Sequence, residues 1–335
     1  MEEVLVVADD LGGIPLDEFL ALRWPRVAKG RLRAWVRQGG VRVDGGPCAP
    51  GDRLRPGQVV LVEPPPEPWP EVRRAGGLEL RILHQDEHLL AVDKPAGLPV
   101  EPGRWGEHPV TLTGAVLDRA EGERRPDGLP RRRPRALHRL DLGTSGVLLY
   151  ALSLEGERYY RRLFEEGRVE KTYHALVIGE VFEAGIVDRP LAPDRRRGGL
   201  MRVVESGGKE AVTEYRPLRR FRGYTLLEVR PRTGRTHQIR VHLASLGHPL
   251  AVDPRYGGRD RLLLSEIKPG YRRKPGREEK PLIQRLTLHA RSVELNPLDA
   301  PDGPPLRIEA AHPKDLRVLL SKMEKWRRAP EADPE

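Results

Sequence analysis

The sequence predicts an α+β protein in two parts, a small helix-and-hairpin unit followed by a larger domain of strands with a few helices. Three observations lead there. Period-two and helical patterns succeed one another without a steady β-α rhythm, which disfavours a doubly wound sheet. The run Pro64-Pro65-Pro66-Glu67-Pro68-Trp69-Pro70 interrupts any ladder after residue 64. Finally, 335 residues make two domains at about 150 residues each, long enough to bury a core without staples.

Leu16-Asp17-Glu18-Phe19-Leu20 opens the first helix with Asp17 as its cap, and Arg31-Leu32-Arg33-Ala34-Trp35-Val36 forms a second, closed by Gly39-Gly40. Val41-Arg42-Val43-Asp44-Gly45-Gly46 alternates and turns as a strand entering a hairpin, and Gly57 to Val62 closes the unit. The domains are therefore residues 1–64, a proline-rich linker over 65–78, a main domain over 79–325 and a disordered tail over 326–335. In the main domain, Leu80–Leu83 and Leu89–Asp93 read as strands around a turn. Gly146–Ala151, Lys171–Val177 and Tyr224–Val229 are further strands, while Glu155–Glu166 and His237–Leu246 are helical.

The formal charge is +10, and 49 of the 59 cations are arginine. Codon bias explains the total as well as function does, but placement is more telling. Seven cations (Arg23, Arg26, Lys29, Arg31, Arg33, Arg37, Arg42) and no acid lie between Phe19 and Val43. Arg124, Arg125, Arg131, Arg132, Arg133 and Arg135 make a second run. Guanidinium forks suit phosphate oxygens, so the expected partner is a polyanion, nucleic acid above all. No apolar run reaches the 18 or so residues of a membrane span, and the start lacks a signal-peptide layout. A lone cysteine, Cys48, excludes an intrachain disulfide and a cysteine zinc cluster. The expectation is a cytoplasmic monomer with no membrane partner.

No GxGxxG, Walker A loop or HExxH is present, and His237, His242 and His248 lack a standard zinc spacing, so neither metal nor cofactor is expected. What stands out is His138-Arg139-Leu140-Asp141-Leu142-Gly143-Thr144-Ser145-Gly146 at the threshold of an apolar strand. A carboxylate, a guanidinium and small residues on a loop at a rigid sheet edge are a common way to present catalytic groups. A glycosidase would want two carboxylates flanking its bond, and this loop offers one.

That stretch resembles the HRLDxxTSG signature of the RluA family of RNA pseudouridine synthases. Asp86 to Gly97, with Lys94-Pro95, looks like the family's first motif, and Arg232-Thr233-Gly234-Arg235-Thr236-His237-Gln238-Ile239-Arg240 like its last; Lys171-Thr172-Tyr173 lies between. The first unit resembles the S-four-type RNA-binding domain, with Lys29-Gly30-Arg31 in place of that module's usual serine-arginine entry.

The resemblance implies a mixed, largely antiparallel sheet and an isomerase without cofactor. Such an enzyme breaks the N-glycosidic bond of a uridine, turns the uracil and rejoins it through carbon. Asp141 is then the nucleophile, toward C1′ or C6, and a cation beside a carboxylate favours its ionised form. The resemblance assigns that cation to Arg235, with Arg240 as substitute. Tyr173 would offer an aromatic face to the uracil and a hydroxyl for proton removal from C5. Arg139 would hold a phosphate or fill the stack left by the flipped nucleotide, and His138 would orient the loop. Arg31, Arg33 and Arg37, together with Arg240, complete the expected RNA-binding residues. The expected partner is ribosomal RNA of the large subunit, with transfer RNA as the alternative.

Overall fold

The computed structural model describes residues 2–65, 68–69, 71–101, 110–123, 134–272 and 276–328. They form two compact units, one of residues 1–80, 99–136 and 150–157, the other of residues 81–98, 137–149 and 158–335. Arg124, Arg125 and Arg131 to Arg133 of the second basic run lie outside the described residues, as does the expected tail from residue 329; the first residues assigned to that tail, Trp326 and Arg327, belong instead to the helix Lys314–Arg327. Among the described residues no helix is long and apolar enough to cross a membrane.

In the first unit, Glu3–Val6, Val59–Val62, Val41–Val43 and Gly46–Pro47 lie side by side in one antiparallel sheet. Leu16, Phe19 and Leu20 of the helix Leu16–Arg23 share a core with Leu32 and Val36 of the helix Lys29–Arg37 and with Val41, Val60 and Val62 of the sheet. The i, i+3, i+4 spacing of these apolar residues is what turns both helices inward. Asp44 and Gly45, both at positive φ, make the tight hairpin turn that the Asp-Gly pair suggested.

Asp17 does not cap its helix. Pro15 stands at that position, and Asp17 is instead buried one residue inside the first turn, where it meets Lys29 and Arg33. Trp69 packs against this unit, edge-on to Trp24 at 5.3 Å and to Trp35 at 6.4 Å. Further along, Gly114 in the helix Leu112–Glu121 passes so close to the Arg73 carbonyl that a Cβ there would sit 2.6 Å from it.

The basic helix is less free than its sequence implies. Arg26 is buried, bonded to Asp118 and Glu121; Lys29 meets Asp17 and Glu18; Arg33 meets Asp17; and Arg42 meets Glu2 and Glu63. Arg31 and Arg37 are exposed and pair with no carboxylate among the described residues.

The second unit is built on a mixed, largely antiparallel sheet, as expected. Its order runs Gly185–Asp188, Val212–Phe221, Tyr224–Pro231, Glu170–Ile178, Leu288–Leu295, Ser145–Ala151, Leu89–Lys94 and Ile82–Gln85. The pairings from Gly185–Asp188 through Leu288–Leu295 are antiparallel, whereas Leu288–Leu295 meets Ser145–Ala151 in parallel, with His289 opposite Ser145. Period-two alternation gives the sheet two apolar faces. Ala175, Val177, Leu227 and Val229 pack on Ile239 and Leu243 of the helix Gln238–Ser245. Leu176 and Leu226 point the other way, toward Leu316, Leu319 and Met323 of the helix Lys314–Arg327.

Candidate active site

Asp141 sits on a tight turn in which the Thr144 amide donates to the Asp141 carbonyl at 3.0 Å. Two features hold that turn to the sheet. Gly143 lies where a Cβ would come within 2.8 Å of Leu286, so the loop can settle onto that side chain. Lys94, wholly buried, donates from Nζ to the carbonyls of Thr144 at 2.8 Å, Pro95 at 3.0 Å and Leu142 at 3.2 Å. Burial brings the Lys94 pKa down to about 8, opposed by the nearby Asp141 charge. Lys94 therefore shapes the turn.

The cation beside Asp141 is Arg240, not Arg235. Arg240 Nη1 donates to Asp141 Oδ2 at 2.8 Å. Its Nε and Nη2 donate to the two oxygens of Asp253 at 2.8 and 3.0 Å, and Asp253 also accepts the backbone amides of Arg255 and Tyr256. Arg240 and Asp253 are 4% and 0% exposed, so these charges lack water and rely on one another. The reason is helical register. Ile239 and Leu243 face the sheet, which leaves the adjacent Arg240 enclosed beside the Asp141 turn. Arg235 precedes the helix, is exposed, and donates from Nε to the Glu210 carbonyl at 2.8 Å.

Gln238 fastens the loop before that helix. Its Oε1 accepts from the Arg235 amide and Thr233 Oγ1, and its Nε2 donates to the Val212 carbonyl and Thr213 Oγ1. At the junction His237 adopts a left-handed backbone, φ 56 and ψ 18. One ring nitrogen, Nε2, faces Asp141 Oδ1 at 3.9 Å; the other, Nδ1, shares a hydrogen bond with the Tyr256 hydroxyl at 2.9 Å. The Tyr256 ring lies under the Arg240 guanidinium at 5.0 Å, and its hydroxyl accepts the Met201 amide.

Tyr173 stands in the strand Glu170–Ile178 opposite Val229 and Ala290, and packs against the Ala175 and Leu227 cluster. Ala290 in turn pairs with Gly146, where a Cβ would lie 2.1 Å from the Ala290 carbonyl oxygen, so only glycine lets these strands close behind the Asp141 loop. Burial first, and the Asp141 charge second, raise the Tyr173 phenol well above its ordinary pKa, so it keeps its proton at neutral pH. His138 is held neutral by burial, its pKa lowered to about 3, and its Nε2 accepts the Leu149 amide at 3.2 Å. It thus orients the loop. Arg139, next to it, is exposed and has no ion pair among the described residues.

The structure thus pairs Asp141 with Arg240, sets Tyr173 near enough to feel the Asp141 charge, and gives His138 and Arg235 other partners. Asp253, His237 and Tyr256 complete the group. That Arg240 needs a carboxylate partner could have been inferred from sequence, because a cation inside the apolar run Ile239-Arg240-Val241 requires one, but that the partner is Asp253 comes from the structure. Among the described residues, no three His, Cys, Asp or Glu side chains stand together to hold a metal ion.

Residues 88–245 match the family model described as RNA pseudouridylate synthase. The chain is 36% identical over 327 residues to the ribosomal large subunit pseudouridine synthase D of Xanthomonas campestris pv. campestris, spanning 95% of this chain and 91% of that one. It is 36% identical over 327 residues to the protein of the same name from Pseudomonas aeruginosa, spanning 96% and 95%. The solved structure of human RNA pseudouridylate synthase domain containing 4 is similar, with a TM-score of 0.54 and 26% identity over 73% of this chain and 93% of that one. This fold, with a carboxylate on an arginine-backed turn at its sheet, defines an RNA-modifying isomerase that converts uridine to pseudouridine. The chain belongs to the RluA family of RNA pseudouridine synthases.

Proposed function

We propose that this enzyme isomerises uridines in large-subunit ribosomal RNA, with Asp141 as nucleophile and Arg240 as the cation that supports it. The observation that carries the reading is the ion pair of Asp141 with a buried, doubly anchored Arg240, with Tyr173 near enough to feel the Asp141 charge. An ionised carboxylate in that setting is poised for covalent attack, and its single fixed bond to Oδ2 leaves Oδ1 to face the substrate. The nucleotide must leave its stack to reach it, and in this reading Arg139, exposed on the same loop, meets phosphate or the vacated stack. Tyr173 offers the uracil its ring. In the first unit, Arg31 and Arg37 are exposed cations that meet no carboxylate among the described residues, which supports RNA binding by residues 1–64.

The choice of ribosomal over transfer RNA is supported by the relatives named above, which match nearly the whole chain. A competition between a large-subunit ribosomal RNA fragment and transfer RNA, with equal numbers of uridine sites, tests it. Faster modification of the ribosomal fragment is expected; faster modification of transfer RNA would overturn the substrate assignment.

A further inference from the structure

One cluster in the second unit takes no part in the chemistry at Asp141. Trp326, half-buried near the end of the helix Lys314–Arg327, has three lysine ammonium groups over its ring. Nζ of Lys322 lies 5.1 Å from the ring centre, and those of Lys268 and Lys325 lie 5.6 Å from it. Lys322 stands one helical turn before Trp326 and Lys325 is its neighbour, so both come with the helix. Lys268 does not. It belongs to residues 259–272, which lie beyond the last motif of the family. Ile267, buried among Leu316, Leu319 and Met323, holds that segment to the helix. Arg327 adds two bonds, from Nε to the Ile267 carbonyl at 3.2 Å and from Nη2 to the Glu266 carbonyl at 2.6 Å.

Three charges brought to one ring call for an anion. Their ammonium groups are at most about 11 Å apart, close to the screening length in about 0.1 M salt, so they repel one another. None of them pairs with a carboxylate among the described residues. Glu324, the only acid between Lys322 and Arg328, is bound to Arg219 at 3.1 Å and to Arg328 at 3.7 Å. A simple anion would need only the charges; the aromatic ring among them suits a base. A base on an aromatic face, with its phosphates on flanking cations, is how single-stranded nucleic acid is held.

The cluster is remote from Tyr173. The Arg222 amide donates to the Arg327 carbonyl at 2.7 Å, which fixes the helix end to the turn between Phe221 and Tyr224. Tyr173 pairs with Val229, five residues along that strand from Tyr224, or about 17 Å. We propose that Trp326, Lys268, Lys322 and Lys325 form a second contact for ribosomal RNA, taking a single-stranded segment apart from the target uridine. This contact rests on the action on large-subunit ribosomal RNA argued above.

The test compares the full-length parent with a triple variant (Lys268→Gln, Lys322→Gln and Lys325→Gln), Trp326→Ala and Trp326→Phe. Each is titrated with a large-subunit ribosomal RNA fragment and with a short stem-loop cut from it around the modified uridine. On the fragment, the triple variant should lower the slope of log affinity against log salt by up to about 2, at about 0.7 per single-strand phosphate contact. Trp326→Ala should weaken binding about 5- to 150-fold, the usual cost of losing one stacked base, and Trp326→Phe should recover most of it. KM on the fragment should rise in the triple variant and in Trp326→Ala, with kcat and all constants on the stem-loop kept at the parent's values. The triple variant leaves the packing of Trp326 intact and decides the question even if Trp326→Ala unfolds. Slopes on the fragment equal to the parent's, or the same loss on the stem-loop, would overturn the second contact. Faster modification of transfer RNA by the parent would instead overturn the substrate assignment on which it rests.

Discussion

Arg240 reaches Asp141 with one nitrogen, at 2.8 Å, because Asp253 holds its other two nitrogens. The guanidinium is thereby fixed before substrate arrives, and the carboxylate it supports keeps one oxygen unbound by it. Preorganised charge of this kind is more effective in a site with little water than a mobile surface cation would be.

Arg240→Met should therefore destabilise the protein by about 3–5 kcal/mol, since it leaves Asp253 buried without its counter-charge. Arg235→Ala removes only an exposed contact and should change stability by less than about 0.5 kcal/mol. Urea unfolding of both variants checks the contrast; equal losses would contradict the assignment of roles to the two arginines.

Lys94 carries a pH signature. Its folded pKa, about 8, lies below the ordinary 10.5 because of burial, so between those values the unfolded chain binds more protons than the folded one. The Lys94 contribution to stability should accordingly rise with pH from about 8 to 10.5. The stability difference between the parent and Lys94→Met, followed by urea unfolding across that window, should grow in the parent's favour.

A second linkage runs at acid pH. His174 Nδ1 and His312 Nε2 meet at 2.7 Å, and the His312 and His289 rings lie 5.4 Å apart. Burial lowers His174 and His289 to about 4 and pushes His312 down as well, with Arg291 and Arg285 adding to the effect. Unfolded histidines take protons that these folded ones refuse, so stability should fall as pH drops from about 6.5 toward 4. His312→Gln should make that slope shallower in a thermal-unfolding series; an unchanged slope would contradict the linkage.

For the first unit the prediction separates binding from folding. Replacing Arg31 and Arg37 by Gln should reduce the slope of log affinity against log salt by up to about 2, at about 0.9 per duplex phosphate contact. Arg26→Gln should instead cost stability, because Arg26 is buried against Asp118 and Glu121. Filter-binding salt titrations and unfolding curves distinguish the two.

Local pattern made much of this legible. Period-two runs such as Lys171–Val177 located strands, the helical stretch His237–Leu246 located the helix, and the His138–Gly146 stretch located the loop of Asp141. Charge pairing was not legible, because it depends on which surfaces meet. Arg26 sits in a basic run yet is buried against acids about ninety residues away in sequence. Asp17 resembles a cap but serves as a buried partner for Lys29 and Arg33. Choosing between Arg235 and Arg240 required the register of a helix whose enclosure comes from residues far along the chain.

The most direct test of the central claim is pseudouridine formation in large-subunit ribosomal RNA by Asp141→Asn, read by mass spectrometry beside the parent enzyme. The amide keeps the shape of the carboxylate and removes the nucleophile. Folding and RNA binding should be nearly unchanged while product falls below about one part in a thousand of the parent rate, within the range that loss of an essential group commonly causes. Turnover above that level by the folded variant would contradict the nucleophilic role of Asp141.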